Sequence, residues 1–204
     1  MNQTTSSYLC PYCAAKFDTI EALKSHIVDQ HKAKTLPVPK GQIILTINGQ
    51  EYQLQVESEW TLQYLLHENL GFTGTKMFCD RGACGSCTVI MNGRPILSCM
   101  KLAIECDGKS IETIEGIASE NHPLIEAYVE NHAMQCGYCT PGFIATAKAL
   151  LDRNPNPSED DVGDALGGNL CRCGTYPQHP KAVIEAANRL QESTNQREIV
   201  NESG

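Results

Sequence analysis

The chain has 204 residues, 41% of them hydrophobic, which gives room for one large domain or two to three small ones; modules that small often depend on metal to stay folded. A net charge of −8 and a pI near 5.2 leave the chain as a whole without the basic footprint of a nucleic-acid binder. The longest apolar stretches, such as Ile43–Ile47, are too short to cross a bilayer, so no membrane insertion is expected. The first ten residues show no basic region, apolar core or twin arginines, so no export signal is visible and a cytoplasmic location is expected.

Residues 1–34 read as a unit of their own. Cys10-x2-Cys13-x12-His26-x4-His31 has C2H2 zinc-finger spacing, with Phe17 and Leu23 at the core positions. Two thiolates on a hairpin and two imidazoles on one helical face suit tetrahedral zinc, which substitutes for a core this unit is too small to build. The base-reading helix positions fall on Thr19, Ala22 and Ser25. None can make the bidentate contact that discriminates bases strongly, so docking or structure is favoured over DNA reading.

Residues 35–41, with prolines at 37 and 39, read as an extended linker. From 42 to 118 the pattern is that of a small mixed sheet. Segments 42–48 and 51–57 flank Asn48-Gly49, a hairpin signal. Leu62, Leu65, Leu66 and Leu70 fall at helical spacing before Gly71. Segments 88–91 and 95–99 bracket Asn92-Gly93, and 110–114 reads as a closing strand. Cys106 reads as a half-buried strand thiol.

Residues 119–190 carry helical periodicity. One helix is marked by Leu124, Ile125, Tyr128 and Val129; a second by Phe143, Ile144, Ala147, Leu150 and Leu151, ended by Asn154-Pro155-Asn156-Pro157. Ser158 with Asp161 can cap a third, and Pro180 can open a fourth with Val183, Ile184, Ala187 and Leu190 inward. Residues 191–204 read as a flexible polar tail. The fold class is therefore α+β: a β-grasp domain of ferredoxin type, then an all-α four-helix domain, preceded by a ββα finger.

Two blocks of four cysteines dominate the chemistry. Cys79-x4-Cys84-x2-Cys87-x11-Cys99 has plant-type ferredoxin spacing, and Gly82 and Gly85 let the backbone wrap closely around a 2Fe–2S cluster. Structural zinc is the alternative for four thiolates. Cys136-x2-Cys139-x31-Cys171-x-Cys173 supplies a second set of four. A zinc site could also use a Cys-x2-Cys pair, whereas the long gap before Cys-x-Cys is unusual for one. Two one-electron centres on a short chain suggest an electron wire.

Residues from about 42 to 190 resemble the small iron–sulfur subunit of the xanthine oxidase family of molybdenum hydroxylases. The similar relatives include the small subunits of carbon monoxide dehydrogenase, isoquinoline oxidoreductase and bacterial aldehyde oxidoreductases. The resemblance is carried by the loop Cys79–Cys87, the return Asn92–Cys99, and the signatures Gln135–Gly142 and Gly168–Cys173. It implies an inner 2Fe–2S cluster on Cys136, Cys139, Cys171 and Cys173, beside the molybdopterin cofactor of a large partner subunit. Gln135 then matches the glutamine that hydrogen-bonds the pterin. The outer cluster, on Cys79, Cys84, Cys87 and Cys99, hands electrons to FAD on a further subunit or to another acceptor. On this resemblance the chain is the electron-transfer subunit of an oxidoreductase complex whose substrate site lies on a partner, and carries no catalytic residue.

Phe78, where many relatives have glycine, and Gly174-Thr175-Tyr176, in place of the commoner Thr-Gly-Tyr, depart from the pattern without touching a ligand. His67, His122, His132 and His179 have no partner in sequence, so packing or surface roles are expected. Two other classes compete: a redox-sensing regulatory or docking protein that uses its finger, and a free-standing ferredoxin-like carrier.

Overall fold

The computed structural model describes residues 8–10, 13, 15–30 and 40–202. The chain divides into two compact units, Met1–Pro39 and Lys40–Gly204. In the first, β1 (Tyr8–Leu9) pairs antiparallel with β2 (Lys16–Phe17), followed by α1 (Ile20–Gln30). The Thr19 hydroxyl accepts the Ala22 N–H at 3.2 Å, which caps the first turn of α1. His31 lies outside the described residues.

The second unit opens with β3 (Lys40–Ile47), which takes up the last two residues of the expected linker, and β4 (Gln50–Glu57). Along β3, Ile43, Leu45 and Ile47 are buried while Ile44 is exposed, the period of two expected of a half-buried strand. Asn48 and Gly49 both take positive φ, at 51° and 80°, as a type I′ turn requires. The five-stranded sheet runs β4-β3-β7-β5-β6, with β5 (Thr88–Met91), β6 (Arg94–Leu97) and β7 (Ser110–Glu112). Only β3 and β7 pair in parallel among these strands. One side is covered by α2 (Leu62–Tyr64), which widens into a π-helical turn over Leu65–Asn69; there the Leu70 N–H reaches back five residues to the Leu65 carbonyl at 3.0 Å. This places both Leu65 and Leu66 in the sheet's core beside Ile43, Leu45 and Val89.

Four details differ from the sequence expectations for this half. Cys99 lies in a 3₁₀ turn, Ser98–Met100, because β6 stops at Leu97. Cys106 is no strand thiol: it closes the 3₁₀ turn Ala103–Cys106 and is fully buried. There the Asp107 carboxylate accepts the Ile44 N–H at 2.8 Å, doing for β3 what a neighbouring strand's carbonyl would do. The closing strand ends at Glu112, since Asn48 Oδ1 accepts the Thr113 N–H at 2.8 Å. The chain then turns into α3 (Ile114–Ser119), inside the stretch expected to be strand and loop.

The helical half contains α4 (Pro123–Glu130), α5 (Thr140–Leu151), α6 (Glu159–Leu166) and α7 (Gln178–Glu202). Ser158 and Asp161 form a reciprocal capping box on α6. Val129, expected inward on α4, is 57% exposed. The last helix starts two residues before Pro180 and continues to Glu202, through most of the expected tail, which contains no glycine or proline before Gly204. Tyr128, Phe143, Val183 and their neighbours form a second core, and β5 joins the halves: Val89 enters the sheet's core while Ile90 enters the helical one. Two cysteine-bearing loops are thereby anchored within one compact unit.

Candidate metal centres

Three cysteines of the first block sit on the loop between the π-helical turn and β5, and Cys99 lies in the 3₁₀ turn after β6. Asp80, Gly82 and Gly85 take φ of 49°, 73° and 74°, so the backbone curls inward and the Ala83 N–H points at Cys79 Sγ, 3.3 Å away. Cys84, Cys87 and Cys99 are buried. Burial raises the Cys79 thiol, but backbone N–H groups of Arg81, Ala83 and Cys84 and the Cys84 thiol bring it down to about 7. Cys99 is pushed up to about 12 by burial and by the neighbouring Cys87 and Cys79 sulfurs. Cys79 is thus paired with Cys84, and Cys87 with Cys99.

The second block lies at the start of α5 and on the α6–α7 loop. Cys139 is the residue just before α5, and Gly137 and Gly174 take φ of 80° and 82°. The Cys171 N–H donates to Tyr176 Oη at 2.8 Å, and the Cys171 sulfur lies 3.2 Å from Thr175 Oγ1. Burial raises Cys171, yet Thr175, Cys139 and the Cys173 backbone bring it down to about 7. Cys139 is pushed up to about 12 by burial and by Cys171. The Cys136 backbone lowers Cys173, while the Cys136 thiol and burial shift it upward on balance. Here Cys139 pairs with Cys171, and Cys136 with Cys173.

The two loops meet directly. The Leu170 N–H donates to the Cys84 carbonyl at 2.9 Å, and Asn169 Nδ2 donates to the Gly85 carbonyl at 3.1 Å. Thr146 Oγ1 lies 3.1 Å from Asn169 Oδ1 and holds that amide in place. A Cβ on Gly142 would fall 2.3 Å from the Gly85 oxygen, so only glycine permits the approach. At the surface, the Tyr138 hydroxyl donates to the Met77 carbonyl at 2.6 Å, and Phe78, 75% exposed, meets the Tyr138 ring edge-on at 6.4 Å. Gln135 is exposed beside exposed Cys136. Asn169, Thr146, Thr175 and His179 have roles that spacing alone did not reveal; the buried-polar character of Asn169 and Thr146 appears only once the helices are packed.

In the N-terminal unit, Cys10, Cys13 and His26 bring their ligand atoms within 4.8 Å of one another. Cys13 Sγ is 3.2 Å from His26 Nε2, and the Phe17 ring packs tilted against the His26 ring at 4.6 Å. Among the described residues no other three such atoms converge so closely. Four sulfurs around one zinc would lie about 3.8 Å apart, given Zn–S bonds of about 2.3 Å. The block cysteines, gathered two and two, match two irons with two thiolates each rather than one tetrahedral ion.

Both four-cysteine sets suit the ligand demand of an iron–sulfur protein. A family model described as a 2Fe-2S iron-sulfur cluster binding domain matches residues 45–111, and one described as a 2Fe-2S binding domain matches residues 113–184. The chain is 45% identical over 149 residues to the nicotinate dehydrogenase small FeS subunit of Eubacterium barkeri, covering 72% of this chain and 95% of that one. It is 39% identical over 155 residues to the nicotine 6-hydroxylase small subunit of Paenarthrobacter nicotinovorans, covering 76% and 94%. Among solved structures, quinoline 2-oxidoreductase from Pseudomonas putida 86 matches with TM-score 0.68 and 43% identity, over 74% of this chain and 97% of that one. Aldehyde oxidoreductase from Desulfovibrio gigas matches with TM-score 0.71 and 40% identity, over 75% of this chain but 17% of that longer one. The chain belongs to the family of small iron–sulfur subunits of molybdenum hydroxylases, and is an electron-transfer component of an oxidoreductase complex. None of its described helices is long and apolar enough to cross a membrane.

Proposed function

We propose that Cys79, Cys84, Cys87 and Cys99 hold an outer 2Fe–2S cluster, and Cys136, Cys139, Cys171 and Cys173 an inner one. Each cluster supplies a one-electron acceptor when bound. The two-and-two pairing of sulfurs supports this assignment, as do the inward-pointing N–H groups that lower Cys79 and Cys171. The observation that carries the function is the Leu170 N–H to Cys84 carbonyl hydrogen bond at 2.9 Å. It joins the residue next to Cys171 to a residue of the other block, which gives a short bonded route between the two ligand sets. Asn169 and Gly142 keep that contact tight.

On this reading, a large molybdopterin-binding partner docks at the exposed Gln135–Cys136 edge, where Gln135 is free to hydrogen-bond the pterin. Electrons leave from the outer block to FAD on another subunit or to a different acceptor. A cytoplasmic location fits ten ligand cysteines that must remain available as thiolates. Cys10, Cys13 and His26, with His31 as fourth ligand by spacing, hold zinc. The Thr19 hydroxyl is engaged by the Ala22 N–H, and the Ser25 hydroxyl donates to Asp29 Oδ2 at 3.2 Å, which supports a docking finger over a base reader.

Anaerobic purification from the native host, with companion chains identified and metals measured, tests this function. About four iron and one zinc per chain, two distinct 2Fe–2S spectroscopic signals and a molybdenum-containing companion are expected. Zinc at all three sites, or iron at only one block, overturns the assignment.

A further inference from the structure

His179 is 2% exposed in the first turn of α7, a costly place for an imidazole. Its ring stacks on Phe143 at 4.0 Å and 9°, with Tyr128 at 5.5 Å and Tyr176 at 6.3 Å. Nε2 lies 3.3 Å from Thr175 Oγ1, which in turn lies 3.2 Å from Cys171 Sγ. Nδ1 is buried and has no hydrogen-bond partner among the described residues.

We propose that His179 is a positioning residue for the redox potential of the inner cluster, acting through the Thr175 hydroxyl on the Cys171 sulfur. The proposal rests on the assignment of Cys171 as a cluster ligand. A ligating thiolate has no proton, so Thr175 must donate to it, and a hydroxyl has only one hydrogen to give. The Thr175 oxygen is then left to accept, which fixes His179 as the Nε2–H tautomer. Either tautomer leaves Nδ1 without a partner among the described residues, but a bare lone pair is cheaper to bury there than the unpaired N–H of the other form. Burial also holds the imidazole at a pKa of about 4, so it stays neutral near pH 7. Stacking on Phe143 fixes the ring plane, so the donor is aimed at Thr175 before any electron arrives. A hydrogen bond to a cluster sulfur favours the more negative, reduced state and raises the potential. Without the Nε2–H, the Thr175 hydroxyl is free to rotate away from Cys171.

The test is a redox titration, followed by electron paramagnetic resonance, of the full chain in its purified complex. The variants are T175V, T175S, H179F and H179Q. T175V should lower the reduced-to-oxidised ratio of the inner cluster about tenfold at a fixed potential, a negative shift of about 59 mV for one electron. H179F should shift the same way by less. T175S and H179Q, which keep the donors, should stay near wild type, and the outer cluster should not move. If H179F fails to fold, H179M, which also lacks the donor, takes its place. An inner potential unchanged by T175V, or unchanged by loss of the donor at position 179, or equal shifts of both clusters, overturns the proposal. Absence of the inner signal in the wild type would instead overturn the ligand assignment beneath it.

Discussion

Gly142→Ala isolates the junction between the two cysteine loops. In an open helical position this change stabilises by about 1 kcal/mol, because alanine loses less backbone entropy than glycine. In α5 the added Cβ would lie 2.3 Å from the Gly85 carbonyl oxygen and 3.2 Å from Asn169 Nδ2, against 3.4 Å or more for an ordinary contact. The clash is with backbone, so helix and loop must separate by about 1 Å. That oxygen also receives the Asn169 amide at 3.1 Å, the Thr88 N–H at 3.1 Å and the Thr88 hydroxyl at 2.7 Å. Overpacking of this kind costs about 1–3 kcal/mol, and each weakened hydrogen bond adds about 1 kcal/mol. Steric cost therefore exceeds helix propensity, and G142A is expected to destabilise by about 1–3 kcal/mol. At about 2–4 °C per kcal/mol for a chain of this size, Tm falls by roughly 2–12 °C. Gly163 in α6 is the control: a Cβ there meets nothing within 4 Å, so G163A should gain about 0.5–1 kcal/mol. Thermal unfolding of both full-length variants, followed by circular dichroism, decides the matter. A G142A protein as stable as wild type, alongside a stabilised G163A, would refute the close backbone approach.

Tyr128 buries a hydroxyl with no partner among the described residues, so Y128F should stabilise by about 1 kcal/mol in denaturant unfolding; a loss of stability would reveal a hidden partner. Ser158→Ala removes the hydroxyl half of the α6 capping box and keeps the backbone N–H of residue 158 on Asp161, and should cost about 1 kcal/mol. The Ser158 backbone and hydroxyl hold Asp161 below the usual carboxylate range, so the wild-type capping advantage is present above that range and fades as pH falls through it. His179 follows the opposite chemistry with the same sign. Burial depresses it to about 4 from an ordinary value near 6.5, so the unfolded chain takes up the proton first on acidification. Stability is full above about 6.5 and declines toward pH 4, by at most about 3 kcal/mol; H179F should flatten that slope in unfolding curves measured across the interval. Chelating zinc should unfold the N-terminal unit while the visible absorption of the clusters persists, and loss of both together would contradict separate compact units.

The sequence was most legible where one residue type does one geometric job. Asn48-Gly49 and Asn92-Gly93 announced their hairpins because type I′ turns need positive φ at both positions, and all four residues have it. Ser158 and Asp161 announced a helix start because the box is complete within four residues. What stayed hidden depends on residues far apart in sequence. Asp107 ends the strand expectation around Cys106 by bonding Ile44, 63 positions away, and Asn48 bends the chain into α3 by holding Thr113, 65 positions away. Cys99 slipped off its strand by two residues, as β6 ended at Leu97.

His179 shows the same limit at the site itself. A lone histidine three residues after a tyrosine carries no signal, and packing was a reasonable expectation. It does pack, but the side chain's meaning comes from direction: the ring is held so that one nitrogen faces Thr175 while the other faces no donor or acceptor. Thr175 lies in the Gly174-Thr175-Tyr176 stretch, and its hydroxyl sits beside Cys171. A residue that is no ligand can therefore still reach the metal through the hydrogen bonds its ligands accept. T175A removes the hydroxyl from position 175 and leaves Gly174, at φ 82°, in place. The inner cluster of that variant should titrate at a more negative potential, with its iron content unchanged; an unaltered potential would mean that the Thr175 hydroxyl is immaterial to the cluster.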